Sequence, residues 1–271
     1  HIRWPTEAGT PFEKLLYLHR PDDLSRIDEI TEALALDELC AYYVVMKRRA
    51  LKRRKQQAIA LTQKAGLGRQ LRDNLAFDLT RAQSRVIRET LEDLANNVPM
   101  LRLVQGDVGS GKTIVAAFAA IRAIEHGCQT AVMAPTELLA EQHQLNFQQW
   151  LDPLGIRVAL LTGQMTAKAQ REVLADIESG EVQVVIGTHA LFQDKVVFHK
   201  LALVIIDEQH RFGVHQRMAL QNKGTFPHQL VMTATPIPRS LALAHYGDMD
   251  VSVLDEKPPG RSPVTTALVS T

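Results

Sequence analysis

Cysteine is scarce in this chain. Cys40 and Cys128 are the only two in 271 residues, too few for a disulfide framework and without the C-x-x-C spacing of a structural metal site. Both are expected to be buried free thiols. Long apolar runs are also missing: none approaches the roughly 20 residues that a membrane-spanning helix needs, and no charged-then-apolar leader precedes them. A membrane partner is therefore not expected, and the cytosol is the expected location. Nor does one sign of charge dominate, with 31 Lys and Arg against 30 Asp and Glu for a net charge of +1. The first residue is His1 rather than Met, so the chain is expected to be a piece of something longer. There is no internal repeat and no low-complexity segment.

What is present is unevenly distributed. Residues 1–75 hold 14 Lys and Arg against 10 Asp and Glu, which leaves 17 against 20 for residues 76–271. The basic excess gathers in Lys47, Arg48, Arg49, Lys52, Arg53, Arg54 and Lys55. Such a run is either a solvated helix face or a surface that follows a phosphate backbone. Pro5, Pro11 and Pro21 mark an irregular start with one short helix around residues 12–19. From 31 to 64 there is no Pro or Gly, and Leu34, Leu39, Tyr42, Val45, Met46 and Leu51 recur at helical spacing. One long helix or two abutting ones follow from that pattern, until Gly66 and Gly68 break it.

A second regime begins near Phe77. Residues 101–105, 130–134, 157–161, 182–187, 201–206 and 229–233 read as strands, and 113–126, 137–151 and 167–179 as helices between them. Near-continuous β-branched strands alternating with helices predict an α/β fold with a parallel sheet covered on both faces. Residues 1–76 are accordingly read as a mainly helical connector, 77–257 as the α/β lobe, and 258–271, opening on Pro258, Pro259 and Gly260, as a departing linker.

The strongest chemical signal is Gly106-Asp107-Val108-Gly109-Ser110-Gly111-Lys112-Thr113, which fits G-x-x-x-x-G-K-[ST] between a predicted strand and a predicted helix. Glycines let successive backbone N–H groups and the helix N-terminus face a phosphate. Lys112 adds a mobile positive charge for the β/γ-phosphates, and the Thr113 hydroxyl suits Mg²⁺. Such a loop needs a carboxylate partner, and Leu203-Val204-Ile205-Ile206-Asp207-Glu208 offers a buried strand ending in two acids. Taken alone an acidic pair there is as readily a cap. With the loop before it, Asp207 becomes the candidate for the Mg²⁺ shell and Glu208 for orienting and deprotonating the attacking water.

Asp207-Glu208-Gln209-His210 has the form of a DExH box, and Thr233-Ala234-Thr235 follows the next predicted strand; this pairing resembles superfamily-two helicases. The resemblance implies a RecA-like lobe using ATP and Mg²⁺. In it Thr233, Ala234 and Thr235 link the nucleotide site to DNA movement, and His210 reaches towards them. Phe77 to Gln83 resembles the Q motif, which implies that Gln83 pairs with adenine. Ala134-Pro135-Thr136-Glu137-Leu138-Leu139-Ala140-Glu141-Gln142, Thr162-Gly163 and Gly187-Thr188-His189 look like backbone-tracking DNA motifs. Pro135, Thr136, Thr162, Gly163, Thr188 and His189 are their candidate contacts, although Thr136 is also a plain helix cap.

Within that superfamily the loop together with residues 135–143, 207–214 and 233–239 resembles the RecG family of branched-DNA helicases. Ser110 and Gln209 favour it over the transcription-repair coupling factors, which are the nearest alternative; a protein-export ATPase is the alternative outside nucleic acids. The resemblance implies a double-strand DNA translocase acting on forks and Holliday junctions in recombination and repair, with a monomer favoured. A wedge domain upstream and a second motor lobe carrying an arginine finger are then expected outside this sequence.

Overall fold

The computed structural model describes residues 10–64, 66–208, 226–235 and 249–256. The chain divides into two compact units, one running to Lys52 and the other beginning at Arg53.

In the first unit, α1 (Pro11–His19) opens on a capping box: Thr10 accepts from the Glu13 N–H, the Glu13 carboxylate accepts from the Thr10 N–H, and Pro11 stands at the first helical turn. Lys14 Nζ meets Asp37 Oδ2 at 2.7 Å and so ties α1 to α2 (Ile27–Arg54). This second helix has 28 residues, about 42 Å of rise, yet buries only Ile30 and Met46. Leu39, Tyr43, Val44, Val45 and Leu51 all stand exposed along it. Cys40 is half-buried and Cys128 buried, both as free thiols, and burial pushes the Cys128 thiol up.

The helix expected through residue 64 stops ten residues short. Residues 57–64 run without regular structure, and the Ala58 and Leu61 N–H groups donate to the carbonyls of Asn97 and Leu94. Leu61 is fully buried in the core of the second unit. Gly66 and Gly68 do more than break a pattern: α3 (Leu67–Asn74) forms around them. Its first N–H groups, of Leu67 and Gly68, donate to Glu125 Oε1, a cap delivered from a distant part of the chain. A boundary at residue 76 therefore cuts through the lobe, because Leu61 and Leu71 are fully buried in its core.

The lobe is built on seven parallel strands: β1 (Leu101–Gly106), β2 (Gln129–Met133), β3 (Val158–Leu161), β4 (Val184–Gly187), β5 (Leu201–Asp207), β6 (His228–Thr233) and β7 (Asp250–Leu254), in the order β3-β4-β2-β5-β6-β1-β7. Every residue of β2, β4, β5 and β6 is buried, the mark of a parallel sheet covered on both faces. α4 (Arg81–Leu94), α5 (Lys112–Ile124), α6 (Glu137–Leu151) and α7 (Ala167–Ser179) complete it. α5 buries nine of its 13 residues; Ala116, Ala117, Ala119 and Ala120 let it lie close against its neighbours. β7 is not among the expected strands. It is an edge strand with only Ser252 and Leu254 buried, so it lacks the continuous apolar run that marks the inner strands.

His228 locks the connecting segment to the sheet. Its Nδ1 accepts from the Met100 N–H at 3.0 Å while Nε2 donates to the Ile59 carbonyl at 2.9 Å. Burial holds its pKa below that of an ordinary histidine, against the Ile59 bond and Asp93, which raise it. Among the described residues no helix is long and apolar enough to cross a membrane.

Candidate active site

β1 ends at Gly106, where an added Cβ would lie 2.6 Å from Ser110 Oγ and 2.8 Å from Leu254 Cβ. No larger residue fits there without moving the loop or the edge strand. Gly109 (φ 77°) and Gly111 (φ 92°) then take left-handed backbone that glycine adopts at least cost. Gly111 caps α5 and supplies no side chain, so the first N–H groups of that helix are left facing the loop. Lys112 Nζ donates to the carbonyls of Gly106 at 2.6 Å and Asp107 at 3.0 Å. Burial lowers the Lys112 pKa from the ordinary lysine value, opposed by the carboxylates of Asp207, Glu208 and Asp107. A cavity of about 240 Å³ opens here, lined by Gly106, Asp107, Val108, Ser110, Ala234 and Glu256 among others.

Gln83 is part of the same construction. Thr80 and Gln83 form a capping box at the start of α4, in which Gln83 Oε1 accepts from the Thr80 N–H at 3.0 Å. Its Nε2 donates to the Ser110 carbonyl at 2.9 Å, and a Cβ at Gly111 would collide with that same nitrogen. The amide expected to read a base is buried here, with its oxygen bonded to Thr80 and its nitrogen bracing the phosphate loop.

The two acids diverge. Asp207 ends β5 and accepts from His143 Nε2 of α6 at 2.8 Å. Glu208 follows with φ 52°, a left-handed conformation that costs a non-glycine residue on the order of 1–3 kcal/mol. It is held there by its neighbour strand: the Glu208 N–H donates to the Met232 carbonyl, and Glu208 Oε1 accepts from the Ala234 N–H at 2.9 Å. Thr233 Oγ1 lies 3.4 Å from Glu208 Oε2 and 2.9 Å from Thr235 Oγ1. Because β6 lies between β1 and β5, Thr233, Ala234 and Thr235 stand between the phosphate loop and the acids. His210 lies outside the described residues.

The candidate DNA contacts divide by exposure. Thr136 and His189 are exposed and Pro135 is half-buried. The Thr136 hydroxyl caps α6 by accepting from the Leu139 N–H, and the exposed Gly163 donates its N–H to Glu137 Oε1. Thr162 and Thr188 are only 5% and 3% exposed, so their side chains do not stand open to a ligand in this structure. Two residues of the site are not singled out by the sequence. Glu256 lines the cavity and accepts from the Ala82 N–H at the start of α4. His143 occupies the buried stripe Ala140, His143, Phe147, Leu151, and its one visible signal is a polar ring at an apolar position.

The residues present fit a magnesium nucleotide. The loop glycines shape an anion cradle, Lys112 and Thr113 begin the helix behind it, and Asp207 presents a carboxylate in the oxygen chemistry that Mg²⁺ takes.

A profile of the DEAD/DEAH box helicase family matches residues 80–243. The chain is 52% identical over 268 residues to the ATP-dependent DNA helicase RecG of Escherichia coli (strain K12), covering 95% of this chain and 39% of that protein. To the RecG of Pasteurella multocida it is 49% identical over 269 residues, with the same coverage. It therefore spans about two fifths of the length of these relatives. The solved structure of RecG bound to a three-way DNA junction superposes with a TM-score of 0.78 at 42% identity, covering 93% of this chain and 34% of that one. With the RecA-like parallel sheet, the phosphate loop and the paired acids in one site, the chain belongs to the DEAD/DEAH box helicase family.

Proposed function

We propose that this chain is the ATP-binding lobe of a DNA translocase that remodels branched duplex DNA. One observation carries the reading. Lys112, the acids of β5 and the Thr-Ala-Thr segment meet at the carboxyl ends of adjacent strands, and Glu208 is bonded to Ala234 of that segment. The likeness to RecG proteins, one of them solved on a three-way junction, supports the choice of substrate.

In this reading Gly106 to Thr113 wrap the phosphates of ATP, Lys112 meets the β/γ-phosphates, and Gln83 stands beside the base. Thr113 and Asp207 hold Mg²⁺, which when bound spreads the charge of the transferring phosphoryl group. Glu208 orients and deprotonates the attacking water. Turnover requires Glu208 to serve water while it is also hydrogen-bonded to Ala234, so hydrolysis and the position of Thr233, Ala234 and Thr235 are linked through one carboxylate. His210 belongs to the same link. Thr136, Gly163 and His189 are exposed to a sugar-phosphate backbone as they stand and Pro135 partly so, whereas Thr162 and Thr188 contribute only if the strand ends rearrange on binding. The whole protein is read as a cytosolic monomer serving recombination and repair.

The test is ATP turnover by the full-length protein with a three-way junction, linear duplex or an unfolded polypeptide. Strong stimulation by the junction is expected; stimulation by the polypeptide alone would overturn the reading. Lys112→Ala is expected to weaken Mg-ATP binding at least about tenfold by calorimetry, since it removes the cation of the phosphate cradle.

A further inference from the structure

The inner face of α6 is apolar except at one position. Ala140, Phe147 and Leu151 are fully buried, and His143 stands among them at helical spacing, where an aliphatic side chain would fill the space with no polar atom to satisfy. Among the described residues its side chain makes one hydrogen bond, from Nε2 to Asp207 Oδ2 at 2.8 Å, with the two side chains only 8% and 12% exposed. Nδ1 is buried without a partner among the described residues. An ionised carboxylate only accepts, so Nε2 carries the proton. The bare Nδ1 then strands no buried N–H.

We propose that His143 is the positioning residue of the metal-binding carboxylate: by holding Asp207 Oδ2 it restricts that side chain to one orientation and leaves Oδ1 to face the cation. The proposal rests on the reading of Asp207 as a Mg²⁺ ligand. A charge-assisted bond in a buried setting is strong enough to select a rotamer. Partners that orient a metal ligand are typically worth 10- to 100-fold in metal affinity. The bond also gives α6 a direct hold on the site. That helix is capped by Thr136, so a displacement of α6 reaches the metal oxygen through His143 without passing along β5.

The experiment is a Mg²⁺ titration of nucleotide binding by the full-length protein, using a non-hydrolysable ATP analogue and calorimetry, with metal-free binding of the same analogue measured alongside. His143→Gln places an amide nitrogen near the position of Nε2, whereas His143→Asn is too short to reach Asp207. The Mg²⁺ concentration for half-saturation is expected to rise about tenfold in His143→Ala and His143→Asn, to return to within about threefold of the parent in His143→Gln, and metal-free affinity is expected to stay within about twofold in all three. If His143→Ala fails to fold, the comparison of Asn with Gln decides the matter alone. Unchanged Mg²⁺ dependence in His143→Asn, beside a shifted one in an Asp207→Asn control, would overturn the positioning role. Equal impairment in the Gln and Asn variants would reduce it to packing and likewise overturn it. An Asp207→Asn variant with parental Mg²⁺ dependence would remove the metal reading itself, and the proposal with it.

Discussion

α2 and α5 are both uninterrupted helices, yet they are stabilised in opposite ways. The 28 residues of α2 bury two side chains, while the 13 of α5 bury nine. A helix such as α2 depends on intrinsic propensity, on the Lys14–Asp37 bridge and on whatever covers Leu39, Tyr43 and Leu51; α5 depends on the core. Substitutions should therefore be silent in one unit and severe in the other. Phe147→Ala, at a fully buried position of the lobe, is expected to cost about 3–5 kcal/mol of unfolding free energy. Leu39→Ala, at 57% exposure, should stay within about 0.5 kcal/mol. Denaturant titration of both variants in the full-length protein measures the contrast. A large loss at Leu39 would show that α2 is covered by another part of that protein, and the comparison would break.

Within the lobe the contrast sharpens between groups that hold the fold and groups that do chemistry. Glu208→Gln keeps the shape and should leave nucleotide bound while turnover falls about 100-fold or more. Steady-state hydrolysis and calorimetry on the same preparation separate the two effects, and parental turnover would place the base elsewhere. The basic run at the end of α2 and just beyond it is the next step down. Lys47, Arg48, Arg49, Lys52, Arg54 and Lys55 are exposed, whereas Arg53 is half-buried, with Nε and Nη1 shut off from solvent and unpartnered among the described residues. Neutralising the exposed six should lower the slope of log affinity for duplex DNA against log salt by about 0.9 for each phosphate that the run no longer neutralises. A slope that does not move returns the run to a solvated face.

The smallest expected effect concerns acid. The folded lobe binds a proton at His228 less readily than the unfolded chain, because burial lowers its pKa. The stability contributed is therefore complete above the ordinary histidine value of about 6.5 and is lost as pH falls below it. Melting temperatures between pH 7.5 and 5.5 should decline less steeply in His228→Asn, which can still accept from Met100, than in the parent. Equal declines would assign the acid sensitivity to other groups.

The central sheet and the phosphate loop are legible in the sequence because their signals are local: β-branched runs, one glycine pattern, one pair of acids at a strand end. What escapes depends on distant partners. α3 is capped by Glu125 from the end of α5, and β7 exists by pairing with β1 along one half-exposed face. His143 becomes meaningful only once β5 brings Asp207 to it, and the brace from Gln83 to Ser110 only once α4 meets the loop. Thr162 and Thr188 illustrate the converse. Their order along the chain resembles a family pattern, but exposure is a property of packing that order does not encode.

The close approach of Gln83 to Gly111 also constrains how such a sequence can drift. A larger residue at position 111 is excluded twice, by the left-handed backbone and by the Gln83 amide that occupies the space. Asparagine tolerates the first exclusion but not the second. Gly111→Asn should therefore abolish nucleotide binding in the parent yet be partly tolerated beside Gln83→Ala, a dependence that binding assays on the single and double variants would reveal. Two positions at the starts of different helices thus share one mutational fate, and a lineage that loses the glutamine can admit an asparagine at a glycine that otherwise looks immutable.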